Sequence, residues 1–355
     1  MSWSGGAAGL PAGKLPVDLL RSLLSSNPIE DPAVVVGPGI GEDAAVLDVG
    51  ADELLVAKTD PITLAGANPA RYLLAVNSND IAVMGGEPRW LLVTALLPEG
   101  IRASEVAKLF DEMRAACAEL GVGLVGGHTE MTVGLDRPIL VGCLLGTVRR
   151  DRLVRSSGAR PGDVVLLAGG VALEGSAVLA REHAEELLRR GVPAAVIEAA
   201  ASWIERPGIS VLTAARLLNA EGQVHAMHDP TEGGLATALH ELAEAAKVGL
   251  RIHLNAILVL EECRAICTAL GLDPLGLLAS GALLATMEPA AATAALERLR
   301  QAGLAAEIIG EVVLPEHGRI LVLESGRCVP IPVFARDELA RYLETSGLAA
   351  RQAEP

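Results

Sequence analysis

The sequence predicts an α+β protein of two domains, and three observations predict it. At 355 residues the chain exceeds one typical domain. Apolar residues make up 51% of it, ample for real cores. Short apolar runs alternate with amphipathic helical patterns, and charged helices around apolar strands argue for two α+β layers rather than an all-helical bundle. Only 2% of residues are aromatic, so the cores must be Ala, Leu and Val. A nucleotide base would then be held by aliphatic side chains and backbone groups, not by ring stacking.

In chain order, residues 1–13 are Gly-rich and expected to be mobile. A helix is expected at 16–24 and strands at 34–36, 54–58, 90–97 and 139–148. Residues 104–120 have the helical period, with Val106, Leu109, Phe110, Met113 and Cys117 on one face. Composition shifts at Arg149-Arg150-Asp151-Arg152 and again at Pro161-Gly162-Asp163, which places a boundary there. The expected division is a flexible 1–13, domains 14–152 and 153–335, and a helix with a loose tail at 336–355. In the second domain strands are expected at 164–168 and 319–323. Helices are expected at 174–190, 194–201, 208–218, 231–246, 261–270 and 290–302.

The formal charge of −15 and the lack of a basic stripe argue against nucleic acid. Acidic balance by itself keeps a protein soluble; anionic ligands would arrive with metal ions. The five cysteines are scattered, so no disulfide framework is implied. Cys263 and Cys267 stand i, i+4 on a helix, where they read as core thiols rather than a metal pair. No apolar run reaches the ~18 residues of a membrane span. The first residues lack a basic region followed by an apolar stretch, so the expectation is a cytoplasmic protein without a signal peptide.

The segment from Ala75 to Gly86 carries the most chemistry. Asn68-Pro69 opens its helix and Gly85-Gly86 closes it. Leu73, Asn77, Asp80 and Met84 share one face, and a carboxylate and an amide there are costly to bury unless they bind something. Further carboxylates stand near the ends of apolar runs, at Gly41-Glu42-Asp43 and Thr59-Asp60. Carboxylates converging from separate elements suit a hard cation, and a hard cation suits a polyphosphate, so the pattern is that of a magnesium–nucleotide enzyme.

Each segment also has a structural reading. Gly39 and Gly41 allow backbone N–H groups to approach a phosphate, or they form an ordinary Gly-Pro turn capped by acids. Asp60 presents a side chain at a strand end, or it terminates the strand by turn chemistry. Gly126-Gly127-His128-Thr129-Glu130 is read as a ligand loop with His128 or Glu130 facing the site, or as a turn with a surface histidine. In His228-Asp229-Pro230-Thr231-Glu232-Gly233-Gly234, Asp229 is the expected N-cap, Pro230 the first helical residue and Glu232 the end of a capping box. Gly233 and Gly234 early in a helix cost roughly 1 kcal/mol each relative to alanine, which makes sense if a ligand or backbone comes close to the helix N-terminus. Gly169-Gly170 with Glu174-Gly175-Ser176 opens another helix, as a phosphate turn or a tight connection.

Together, in this order, these segments resemble the superfamily of aminoimidazole ribonucleotide (AIR) synthase, thiamine-monophosphate kinase, selenophosphate synthetase and the hydrogenase-maturation protein HypE, over most of the chain. The Asp229 segment, with Gly271-Leu272-Asp273-Pro274-Leu275 downstream, looks most like the HypE branch. The resemblance implies an AIR synthase-like fold. Its N-terminal α/β domain would pair across a homodimer into a β-barrel, and its C-terminal α+β domain would complete an ATP cleft. It implies Mg2+ on Glu42, Asp43, Asp60 and Asp80, nucleotide on Gly39, Gly41, Asn77, Gly126, Gly127, Gly233 and Gly234, and catalytic roles for Asp80, His128 and Asp229. The implied chemistry is ATP-dependent phosphorylation of a carbonyl, amide or phosphate oxygen of a small molecule.

Two departures stand out. HypE-like carriers have a cysteine at the extreme C-terminus, whereas this chain ends in Ala353-Glu354-Pro355 with Cys328 far upstream. His128 also stands where an acid usually follows the two glycines. Two rival expectations stay in view: a small-molecule kinase resembling thiamine-monophosphate kinase, which the Asn77–Gly86 helix fits well and the Asp229 segment less well, and a non-catalytic dimeric nucleotide-binding or scaffold protein, which the two departures motivate.

Overall fold

The computed structural model describes residues 14–26, 29–62 and 68–353, with side chains through Thr345; the segment expected to be mobile at 1–13 lies outside them. The chain forms two compact units. One comprises Glu30–Gly37 and Asp43–Val154; the other takes Arg155 onward together with Pro38–Glu42 and the N-terminal segment through Ile29. Among the described residues, the first element is helix α1 (Val17–Ser25), a part of the second unit.

The first unit is a mixed six-stranded sheet with two helices on one face. Its elements are β1 (Val34–Val36), β2 (Ala45–Leu47), β3 (Glu53–Ile62), α2 (Pro69–Val83), β4 (Glu87–Pro98), α3 (Ala103–Leu120), β5 (Gly123–Thr132) and β6 (Ile139–Arg149). The strand order is β1-β2-β3-β6-β4-β5. Only β4 and β5 run parallel, joined through α3 as a parallel pair requires. Burial alternates along β3, β4 and β6: Leu54, Val56, Leu91, Val93, Ala95, Leu97, Leu140, Leu144 and Val148 face α2 and α3. The opposite face is less covered, with Trp90 and Leu92 exposed on β4. The sheet is open, with β1 and β5 as its edges.

The second unit holds β7 (Val164–Ala168), α4 (Leu173–Glu182), α5 (Ala184–Arg189), α6 (Ala194–Ala201), α7 (Leu212–Asn219), β8 (Val224–His228), α8 (Gly234–Ala246), β9 (Gly249–His253), α9 (Glu261–Leu270), β10 (Leu283–Met287), α10 (Pro289–Gln301), β11 (Ala306–Val313), β12 (Arg319–Val322), β13 (Cys328–Pro330) and α11 (Glu338–Ala353). Its mixed sheet has the order β13-β12-β9-β11-β7-β10-β8. Helix α8 packs Leu235, Leu239 and Leu242 onto Val165, Leu250, Ile252 and Leu284. A separate helical core joins α4, α6 and α9 through Leu179, Ile197 and Ile266. Cys263 and Cys267 belong to that core, with their sulfurs 4.0 Å apart. No helix among the described residues is long and apolar enough to cross a membrane.

Three sequence expectations change. The helix expected at 174–190 breaks at His183, which ends α4 and precedes α5; the turn seats Leu187 in the core and sets the His183 ring edge-on to Tyr342. Residues 126–130, read as a loop or turn, lie inside strand β5. The helix expected from residue 231 starts at Gly234, capped by Gly233 in the left-handed region at φ 84°. Asp229 is therefore not its N-cap, and the expected capping box does not form. In the sheet units, barrel closure is not seen within the single chain.

Candidate functional site

Helix α2 carries polar residues into the first unit. Asn68 caps it by accepting from the Arg71 N–H at 3.0 Å, Pro69 occupies the first turn, and the Gly86 N–H returns to the Ile81 carbonyl at 2.9 Å. Asn77, Ser78 and Asn79 are fully buried and Asp80 is 5% exposed. Such burial demands close packing. A Cβ on Gly142 of β6 would stand 2.8 Å from Asn77 Nδ2, and one on Gly146 would stand 2.6 Å from Ile81 Cγ2. Glycine at these two strand positions lets the helix lie almost on the backbone.

Strand β3 delivers the partners. Lys58 and Asp60 are two residues apart, hence on the same face as Leu54 and Val56, under α2. The Lys58 ammonium stands 3.3 Å from Asp80 Oδ1 and 3.5 Å from Asp60 Oδ2. Asn77 Nδ2 donates to the Leu73 carbonyl at 2.9 Å and to the Asp60 carbonyl at 3.4 Å, tying the helix to the strand. Thr59 Oγ1 donates to the Gly142 carbonyl at 2.8 Å. Two carboxylates from two elements share one ammonium. Their oxygens are hard donors suited to a divalent cation, and the lysine suits a phosphate.

The other expected residues of this unit lie elsewhere in it. Asp43 is half-buried in coil before β2. Gly126, Gly127 and His128 lie on the edge strand β5, where His128 Nε2 stands 3.2 Å from Glu130 Oε2 and the imidazole is 67% exposed. A Cβ on Gly127 would collide with the Val93 carbonyl oxygen, so strand pairing by itself requires that glycine.

In the second unit the turn from His228 to Gly234 organises a second polar cluster. His228, buried at the end of β8, stands 3.1 Å from Glu241 on α8. The Lys14 ammonium lies 3.6 Å from Glu241 and 3.7 Å from Glu232, and donates to Thr231 Oγ1 at 3.2 Å. Burial pushes the Glu241 carboxyl up, but His228 and Lys14 outweigh it and hold the group at about 2. Asp229 is buried beside His228.

The carboxylate at the start of α8 is Asp337, which accepts the Gly233 N–H at 2.6 Å and the Leu339 N–H at 2.7 Å. Burial raises its carboxyl to about 6. Fully buried Glu174, in the first turn of α4, is raised to about 8 by burial, against a hydrogen bond from Ser280 and with Glu232 and Asp337 adding to the rise. The glycines have packing reasons too. A Cβ on Gly234 would stand 2.4 Å from the Leu275 carbonyl oxygen. On Gly41 (φ 79°) it would stand 2.7 Å from the Glu241 carbonyl oxygen. Gly39 and Glu42 form the adjoining turn, where the Glu42 N–H donates to the Gly39 carbonyl at 3.3 Å.

Sequence reasoning missed Lys58, Glu241 and Asp337, and took Glu174 only as part of a helix opening. Lys58 carried a signal, a cation at the end of the apolar run 54–57 and two residues before Asp60. Asp337 carried none, since its partner Gly233 is distant in sequence.

Known proteins match over both units. Residues 41–148 match the AIR synthase related protein, N-terminal domain, and residues 160–322 the AIR synthase related protein, C-terminal domain. Carbamoyl dehydratase HypE of Cupriavidus necator is 32% identical over 295 residues, covering 79% of each chain. A protein of Methanocaldococcus jannaschii named for hydrogenase expression/formation is 29% identical over 331 residues, covering 90% of this chain and 95% of its own. The crystal structure of the hydrogenase maturation protein HypE in complex with ATP superposes with a TM-score of 0.69 at 24% identity, over 93% of this chain and 98% of that one. The two matched domains, together with a relative above 30% identity over most of both chains, place this chain in the AIR synthase-related family as a HypE-like member.

Proposed function

We propose that the chain is an ATP- and Mg2+-dependent enzyme that phosphorylates a carbonyl, amide or phosphate oxygen of a small molecule and so makes that oxygen a leaving group. The observation that carries this reading is the Lys58–Asp60–Asp80 cluster, with its nearly buried carboxylate on α2. A nearly buried carboxylate is expensive without a bound partner, and here two carboxylates from two elements converge on one ammonium. That donor set fits a hard cation. Asp60 and Asp80 would hold the magnesium, and the bound ion would neutralise polyphosphate charge. Lys58 would then turn its ammonium toward phosphate oxygens, and Asn77 would fix the spacing of α2 from β3. Relatives with dehydratase and ATP-complex names agree with this class of chemistry.

The reading includes a homodimer. The outer face of the first sheet exposes Trp90 and Leu92, and the unpaired edge strand β5 exposes Val125 and Met131. An apolar face beside an open strand edge is what a second copy covers.

Calorimetric titration with a non-hydrolysable ATP analogue tests the site. Binding should require magnesium, and Asp80→Asn should weaken it by about tenfold or more. Magnesium-independent binding, or none at all from a folded protein, would overturn the reading. Phosphorus NMR on turnover would then distinguish activation chemistry, which releases free phosphate, from a kinase, which leaves a stable phosphorylated product.

A further inference from the structure

A groove of about 650 Å³ opens at one end of the second sheet, and none of the site residues assigned above is in its lining. Leu167 of β7 and Ile308 of β11 contribute to its floor, and the segment 255–259 after β9 to one wall. The groove is held open by backbone bonds on two sides: the Gly169 N–H donates to the Ala305 carbonyl at 2.8 Å, and the Val171 N–H to the Leu258 carbonyl at 3.1 Å. Its volume lies in the range of small-molecule sites.

The charges along it are unusual for this acidic chain. Arg264 projects from α9 and Arg300 from the last turn of α10. Arg300 stands 3.3 Å from Glu307, also in the lining. Among the described residues, no hydrogen bond or ion pair engages the Arg264 guanidinium. The lining therefore carries two guanidinium groups against one carboxylate, with the Asn255 amide beside them and the apolar side chains of Ile257, Leu258 and Val259 along the wall. A guanidinium presents a planar fork of donors that matches a carboxylate or phosphate with two parallel hydrogen bonds.

We propose that this groove binds a small organic anion, with its oxyanion on Arg264 and a short apolar body along Leu258 and Ile308. The site is separate from the proposed phosphoryl-transfer residues and takes a ligand other than the nucleotide. Arg300, already paired with Glu307, contributes long-range attraction and a second, weaker donor.

Three probes test the assignment on the full chain by calorimetry: n-hexyl phosphate, hexanoate and inorganic phosphate, each with saturating ATP analogue and magnesium. The organic anions should bind one site, and inorganic phosphate more weakly because it has no apolar body. Arg264→Gln should weaken the organic anions by about tenfold or more, and Arg264→Lys should lose most of that because the fork is gone. Leu258→Ser should weaken hexyl phosphate and hexanoate and leave inorganic phosphate unchanged. Both side chains are exposed, so melting temperatures should hold. Tighter binding of hexyl phosphate assigns a phosphate ester, and of hexanoate a carboxylate. No saturable binding of either, or binding indifferent to Arg264→Gln and to Leu258→Ser, overturns the proposal. The Asp80→Asn titration above reads the nucleotide site alone, so either reading can fail without the other.

Discussion

Glu174 shows how one side chain can set the pH dependence of a domain. Its carboxyl is fully buried and raised from 4.5 to about 8, chiefly because burial penalises the charged form. One of its oxygens, Oε2, has no hydrogen-bond partner among the described residues. The folded protein therefore holds a proton there that the unfolded chain releases near 4.5. Stability from this group is full below that value and is lost as pH rises toward about 8; Asp337, raised to about 6, acts in the same direction over a lower window. Glu241 has the opposite sign: held at about 2, it contributes above its unfolded value near 4.5 and loses that contribution as pH falls toward 2. Glu174→Gln should raise the melting temperature at pH 8, leave it near wild type at pH 5, and flatten the profile between. Calorimetric scans across that range check it, and an unchanged slope would refute it. Residue-scale legibility was uneven. Asp80 and Asn77 stood out because polar groups on an apolar helix face violate a burial rule. Glu174 and Asp337 did not, because their environment comes from segments far away in sequence.

At the scale of elements, the decisive contact is helix α2 on strand β6. Gly142 leaves room for Asn77, and the Asn77 amide in turn ties α2 to the Asp60 backbone. Gly142→Ala should push the helix off the sheet and cost about 1–3 kcal/mol in chemical denaturation. It should weaken nucleotide binding as well, since Asp80 moves with the helix; full affinity in the variant would mean that the spacing is irrelevant. Helix α2 was legible from the sequence end to end because its Asn-Pro start and Gly-Gly stop are local chemistry. Strand β5 was not. It lies exposed along nearly its whole length, so no burial alternation marks it, and its two glycines resemble a turn. Strand β10 was hidden for the opposite reason: all five of its residues are buried, so its apolar run has no period.

For the molecule as a whole, the proposed pairing of two copies rests on the uncovered face of the first sheet. Met131, 64% exposed on β5, contributes to no core of its own chain. Met131→Lys should leave the melting temperature within a degree or two at low concentration and shift sedimentation from dimer toward monomer. A wild-type chain that sediments as a monomer would refute the pairing. The α+β class was legible from alternating patterns, whereas the pattern of pairing within each sheet was not, since register depends on contacts between distant strands.

The second unit borrows α1 and the Pro38–Glu42 turn from the beginning of the chain. Lys14 pairs there with Glu241, Arg21 with Glu244, and Gly41 lies against the backbone at Glu241. During synthesis, α1 thus has no Glu244 to meet until more than two hundred further residues are made. The first unit, by contrast, is complete once Val154 has been synthesised. No single cut divides the two, and a fragment beginning at Arg155 would lack the lysine that offsets Glu241 and the turn that covers α8.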